Sequence, residues 1–206
     1  MGQTTSTTQL FNLIPEGCPV AVMIRRGGKE IADGSFLHAL GTACGDRLKF
    51  VASSAYEDCL AQGKAIIEAA DQPLLVVPSD DLGNPSILIN REDLQAAESA
   101  WNELGHDTIT VNLMKGDQIP GFNDPSVSAC RLLCWMLEKS VSAGTGISLF
   151  ISHDIVMLVI MARLFNIQLT RDLWPNRFEG AVFWREGDRV ICRYREAISI
   201  NSLACQ

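Results

Sequence analysis

Gly146-Ile147-Ser148-Leu149-Phe150-Ile151-Ser152-His153-Asp154 sets the architecture of this chain. Its apolar centre stops at a histidine and an aspartate, and a strongly apolar segment, residues 155–165, follows at helical length. A short run that is apolar on both faces reads as a buried parallel strand handing its polar end to the next helix. Pro19-Val20-Ala21-Val22-Met23-Ile24 repeats the pattern and stops at Arg25-Arg26-Gly27. Residues 49–53 make a third strand of this kind, ending at Ser53 ahead of a helix over 57–70.

Outward from these strands, residues 35–44 carry apolar side chains at helical spacing, with Gly45 as the C-cap. Residues 74–77 read as a strand halted by Pro78. Residues 90–104 read as a helix with Trp101 and Leu104 on one face, and 108–113 alternate as a strand does. Two prolines and two glycines make 116–125 a loop, and 126–142 is a second long helix capped by Asp124 or Ser126. Residues 181–184 and 189–194 flank Glu186-Gly187-Asp188, a hairpin turn.

Alternating strands and helices predict a three-layer α/β/α sandwich with a mostly parallel central sheet and a C-terminal hairpin. The 206 residues suit a single domain, with a flexible start over 1–15 and a lid or insert over 80–125. Ligands of such sheets sit beyond the strand C-terminal ends. Arg25, Ser53 and His153 all fall there.

A net charge of -7 argues against general nucleic-acid binding, which needs a basic surface. No segment has a signal-peptide layout and no apolar run reaches membrane-spanning length. Met1-Gly2-Gln3-Thr4-Thr5-Ser6 matches the myristoylation pattern with Gly2 as acceptor, but no basic cluster follows to supply a second membrane signal. Seven cysteines form no CxxC pair, and Cys130 and Cys134 share one helical face as small core hydrophobes. That usage fits a reducing, cytoplasmic setting. Oligomeric state is left open.

Several segments together resemble the split active site of the histidine phosphatase (phosphoglycerate mutase-like) superfamily. Val22 to Lys29 is similar to its strand and Arg-His-Gly turn, with Arg26 in the place of the histidine that becomes phosphorylated. Val51 to Cys59 is similar to its Ser-Ser-Pro...Arg-Cys segment, with Asp58 in the place of the second phosphate-binding arginine. Ile151-Ser152-His153-Asp154 resembles the second histidine motif of the acid phosphatase-type branch, where the aspartate donates a proton. Trp174-Pro175 and the closing hairpin resemble that branch too, whereas the middle third matches no family pattern.

A guanidinium stays protonated and has no lone pair to offer phosphorus, so Arg26 cannot replace the nucleophile. The two departures balance in charge, which predicts an Arg26–Asp58 ion pair. The resemblance then implies His153 and Asp154 as acid–base residues. Arg25, Arg26, Lys29, Ser53 and Asp58 are the expected anion or substrate site, and neither a metal nor a cofactor is called for. The first functional expectation is a diverged enzyme that acts on a small phosphorylated or acidic molecule without a phosphohistidine. A pseudoenzyme that binds a phosphorylated ligand or partner is one alternative, and a residual phosphomonoester hydrolase is the other. Trp174, Phe178, Phe183 and Trp184 are expected to pack, and Cys59 to be buried.

Overall fold

The computed structural model describes residues 14–28, 34–83, 86–167 and 170–202. Lys29 and Gly2 lie outside them. The described strands are β1 (Pro19–Arg25), β2 (Leu48–Ser53), β3 (Val76–Pro78), β4 (Gly146–Ser152), β5 (Gly180–Glu186), β6 (Arg189–Tyr194) and β7 (Ala197–Asn201). They form one sheet in the order β3-β2-β4-β1-β5-β6-β7. The first four are mutually parallel, and β5, β6 and β7 add on antiparallel beside β1. The C-terminal hairpin therefore gains a third strand, pinned where Ser199 Oγ donates to Phe165 O at 2.6 Å.

The described α-helices are α1 (Gly34–Cys44), α2 (Glu57–Ala69), α3 (Leu94–Lys115), α4 (Pro125–Ala143) and α5 (Asp154–Phe165). Side chains alternate across a strand, so β1 feeds two cores. Val20, Val22 and Ile24 pack with Leu37, Leu40 and Ile66 of α1 and α2. Ala21 and Met23 pack with Met136 and Met157 of α4 and α5. Burial on both faces explains the unbroken apolar runs and gives the three layers.

Four readings need correction. Residues 108–113 are helical: α3 runs through them, kinked at Gly105. Their burial decides it, because Ile109, Thr110, Leu113 and Met114 are covered at a helix's three-to-four-residue spacing while Val111 is exposed. The strand expected at 74–77 is shifted to Val76–Pro78, leaving Leu75 in solvent. Cys134 is disulfide-bonded, although five other described cysteines are free. Ser53 is fully buried and its hydroxyl donates to the Ser54 carbonyl at 2.9 Å, so it does not face the cleft as expected. At α4 the cap is Asp124, whose Oδ1 accepts from the amides of Ser126 and Val127 at 2.9 and 2.8 Å.

Candidate functional site

Strand register assembles the site. Arg25 lies opposite Ser152, and Ser53 opposite Ile151, so β1, β2 and β4 end at one level. One further hydrogen bond on each side carries the ladder past the strands. Arg26 N donates to Ser152 O at 2.7 Å, and Ser54 N donates to Ile151 O at 2.9 Å. Arg26, Ser54 and His153 are thereby held side by side, each the first residue after its strand.

Two arginines leave the end of β1, and each meets an aspartate in the first turn of a helix. Arg26 Nη1 donates to Asp58 Oδ2, a short ion pair at the start of α2. Arg25 Nη2 reaches Asp154 Oδ2 at 2.9 Å at the start of α5, and its Nη1 donates to Pro175 O. A helix N-terminus favours carboxylates, and each aspartate also accepts the next residue's amide. Cys59 N donates to Asp58 Oδ1 at 3.1 Å, and Ile155 N to Asp154 Oδ1 at 2.9 Å. The charge swap anticipated at positions 26 and 58 is thus a direct contact.

His153 is engaged on both ring nitrogens. Arg26 Nε donates to His153 Nδ1 at 3.2 Å. The guanidinium can only donate, so Nδ1 must carry the lone pair and Nε2 the proton. Nε2 lies 3.3 Å from Ser54 Oγ, which accepts from it. Burial first, and then the Arg26 charge, push the His153 pKa down to about 4. The imidazole is neutral near pH 7, and its basic nitrogen faces a cation. Tyr56 closes this corner, its ring 5.4 Å from the His153 ring and 5.8 Å from the Arg26 guanidinium carbon.

Asp154 is different. Burial opposes its ionisation, but a hydrogen bond from His106 and the Arg25 and His106 charges outweigh that and hold its pKa at about 2. His106 was not expected in the site. It follows Gly105, whose φ of 74° and ψ of 166° break α3 and redirect the chain. The kink is tied by Thr110 Oγ1, which donates to His106 O at 2.8 Å. His106 Nε2 then lies 3.4 Å from Asp154 Oδ1, with Trp101 and Trp174 on either side at ring distances of 5.7 and 6.2 Å. The alternation of 108–113 hid this helix, and a glycine directly before a histidine was the one local hint.

The strand after the site is anchored from behind. Arg25 N donates to Glu179 O, and Phe178 N donates to Arg25 O, both at 2.9 Å. Glu179 is buried and takes both nitrogens of the Arg195 fork, with Nη2 to Oε2 at 2.9 Å. Gly27 lets the Phe178 ring approach the turn closely, since a Cβ there would lie 2.3 Å from that ring. Its amide donates to Gln62 Oε1 at 3.1 Å.

These groups floor a cleft of about 830 Å³, lined also by Arg177, Arg171, Trp101, Phe122, Leu88 and Leu94. Of the expected residues, Arg25, Arg26, His153 and Asp154 line it, Asp58 stands behind Arg26, and Ser53 is displaced by Ser54. Cys59 is buried and its thiol is pushed up to about 12, chiefly by desolvation, so it supplies no thiolate. Among the described residues no cluster of three His, Cys, Asp or Glu side chains is placed to hold a metal ion. No described helix is long and apolar enough to cross a membrane.

No protein-family model and no curated protein sequence matches the chain. Solved structures do. A phosphoglycerate mutase from Bacillus anthracis aligns over 91% of this chain and 93% of its own, at 12% identity and a TM-score of 0.50. The chain has the fold of the phosphoglycerate mutase-like histidine phosphatases. A mycobacterial glucosyl-3-phosphoglycerate phosphatase covers 89% of it and 96% of its own length, at 12% identity and a TM-score of 0.53. A mutant phosphoserine phosphatase from Entamoeba histolytica, in complex with phosphoserine, covers 89% and 96%, at 14% identity and a TM-score of 0.52. Within this histidine phosphatase fold, the middle third of the chain contributes α3 and hence His106 and Trp101 to the cleft.

Proposed function

We propose that this chain binds a small phosphorylated or acidic molecule in the cleft and forms no phosphohistidine, as a pseudophosphatase. One observation carries the reading: Arg26 stands first after β1, ion-paired to Asp58 and donating to His153. Phosphoryl transfer needs an in-line lone pair, and here that place holds a cation whose neighbours keep it there. The adjacent imidazole points its own lone pair at the same cation. Arg25, Arg26 and Arg177 remain as donors for an oxyanion, with Arg25 and Arg26 exchanging a carboxylate for the ligand's oxygens as it enters. The aspartate directly after His153, together with the closing hairpin, supports the acid phosphatase-type branch as the source of this design.

The His106–Asp154 contact favours a second reading, a diverged enzyme working by acid–base chemistry. A carboxylate that stays ionised can hold an imidazole in one orientation and stabilise its protonated form. In that reading His106, and not His153, moves the proton. Residual phosphatase action with Asp154 as general acid is disfavoured, because a carboxyl held near 2 carries no proton at neutral pH.

Phosphoserine and phosphoglycerate, which the structural neighbours' names supply, are suitable probes. The first reading expects either ester to raise the unfolding temperature, the effect to vanish in Arg25→Ala, and phosphorus NMR to show the ester intact after hours. Inorganic phosphate released by wild type but not by His106→Gln would move the assignment to the second reading. Absence of any stabilisation by either ester, with none released, would end the anion-binding reading.

A further inference from the structure

We propose that the cleft selects a phosphomonoester whose alcohol portion is flat and apolar, with its headgroup on the arginine floor and its body on the Trp101–Phe122 wall. The inference rests on the anion-binding reading and adds the chemical class of the ligand. Three observations carry it.

The first is size. The cleft measures about 830 Å³, within the roughly 300–1,000 Å³ of pockets that enclose drug-sized molecules. An inorganic anion, or a headgroup on a three-carbon acid, fills a small part of it.

The second is the distribution of chemistry. Arg25, Arg26 and Asp154 lie at the strand ends, whereas the middle third lines the cleft with Leu88, Leu94, Trp101 and Phe122, and with Glu98 and Asn102 beside them. Trp101 stacks on the largely buried Phe122, 12° from parallel with centroids at 6.2 Å, which fixes the indole at the cleft wall. Leu94 stands at the cleft with about half its surface in solvent, where the body of a ligand can cover it. A flat apolar body stacks on such an indole, and a short polar acid leaves it wet.

The third is preorganisation. The segment carrying Leu88 and Ile89 is stitched to the segment carrying Phe122. Asn90 N donates to Gly121 O, Asn123 N to Leu88 O, and Asn123 Nδ2 to Ile89 O, each at 2.9 Å. A wall fixed before binding loses little conformational freedom when a ligand docks, so its area converts into affinity. His106, beside Trp101 and hydrogen-bonded to Asp154, stands between floor and wall, where the ester oxygen of such a ligand lies.

The probes are 1-naphthyl phosphate, 1-naphthol and orthophosphate, titrated calorimetrically into the whole chain at fixed salt. The expected result is binding of 1-naphthyl phosphate at least roughly tenfold tighter than orthophosphate, as burying an aromatic ring requires. In Trp101→Ala the two affinities, measured on the same variant, should converge. Leu94→Asp is the second variant; Leu94 is already half exposed, so its replacement spares the core, and it should narrow the same gap. Equal affinity of wild type for 1-naphthyl phosphate and orthophosphate would overturn this inference while leaving the anion site standing. Binding of neither, or binding of 1-naphthol as tightly as its phosphate, would overturn it together with the anion reading.

Discussion

Arg25 and Arg26 leave the same strand one residue apart, and the two halves of the cleft floor built on them are near copies with opposite chemical outcomes. Each arginine meets an aspartate in a helix's first turn, and each pair has a histidine beside it. On the Arg26 side the histidine is His153, and it contacts the cation. Its lone pair is used up and it sits neutral. On the Arg25 side the histidine is His106, and it contacts the anion. That geometry orients the imidazole. Both halves thus carry residues of the histidine phosphatase motifs, and the unfamiliar middle third adds only His106 to the Arg25 side.

The halves also respond to acid in different windows, which gives the sharpest ways to separate them. His153 is depressed from 6.5 to about 4. The unfolded chain therefore takes up that proton first as pH falls. The stability this histidine confers is complete above 6.5 and lost as pH drops to about 4, a change of about 3 kcal/mol. Denaturant unfolding at several pH values should show a slope over that window in wild type that is clearly smaller in His153→Gln. A wild-type curve flat from pH 7 to 4 would contradict this picture of the Arg26 side.

The second effect is smaller and lies lower. Asp154 is depressed from 3.8 to about 2. Its contribution is complete above 3.8 and lost as pH falls through about 2, an effect of about 2 kcal/mol. Asp154→Asn should lower stability at pH 7 and remove the slope below pH 4 while keeping the His153 slope above it. Loss of both slopes together would mean that the halves act as one unit.

The smallest effect concerns the ion pair itself. Asp58→Asn removes the carboxylate that competes with an incoming anion for Arg26. Orthophosphate affinity should rise by roughly fivefold, the scale of a partly exposed ion pair. Unchanged or weaker binding would show that Arg26 does not face the ligand.

The Arg26 side was legible in the sequence, and on the Arg25 side Arg25 and Asp154 were too, whereas His106 was not. The strands β1 and β4 announce themselves because both their faces are buried, and register alone then brings Arg26 beside His153. The Arg26–Asp58 pair follows from two exchanges that cancel in charge. Ser53 was misplaced by one residue, since the pleat turns it into the core and Ser54, just past the strand, reaches His153. His106 escaped because its position depends on Gly105 breaking a helix that residues 108–113 do not advertise. Their β-branched alternation is overridden by packing of Ile109 and Leu113 against the rest of the core, a tertiary fact with no local signature.

The proposed pseudophosphatase site permits no covalent phosphoenzyme on its Arg26 side. Incubation of the whole chain with phosphoserine carrying radioactive phosphate, followed by parallel acid and base quenches, tests it most directly. No protein-bound label is expected under either quench. Label that survives base and is released by acid, mapped by mass spectrometry to His153 or His106, would contradict it.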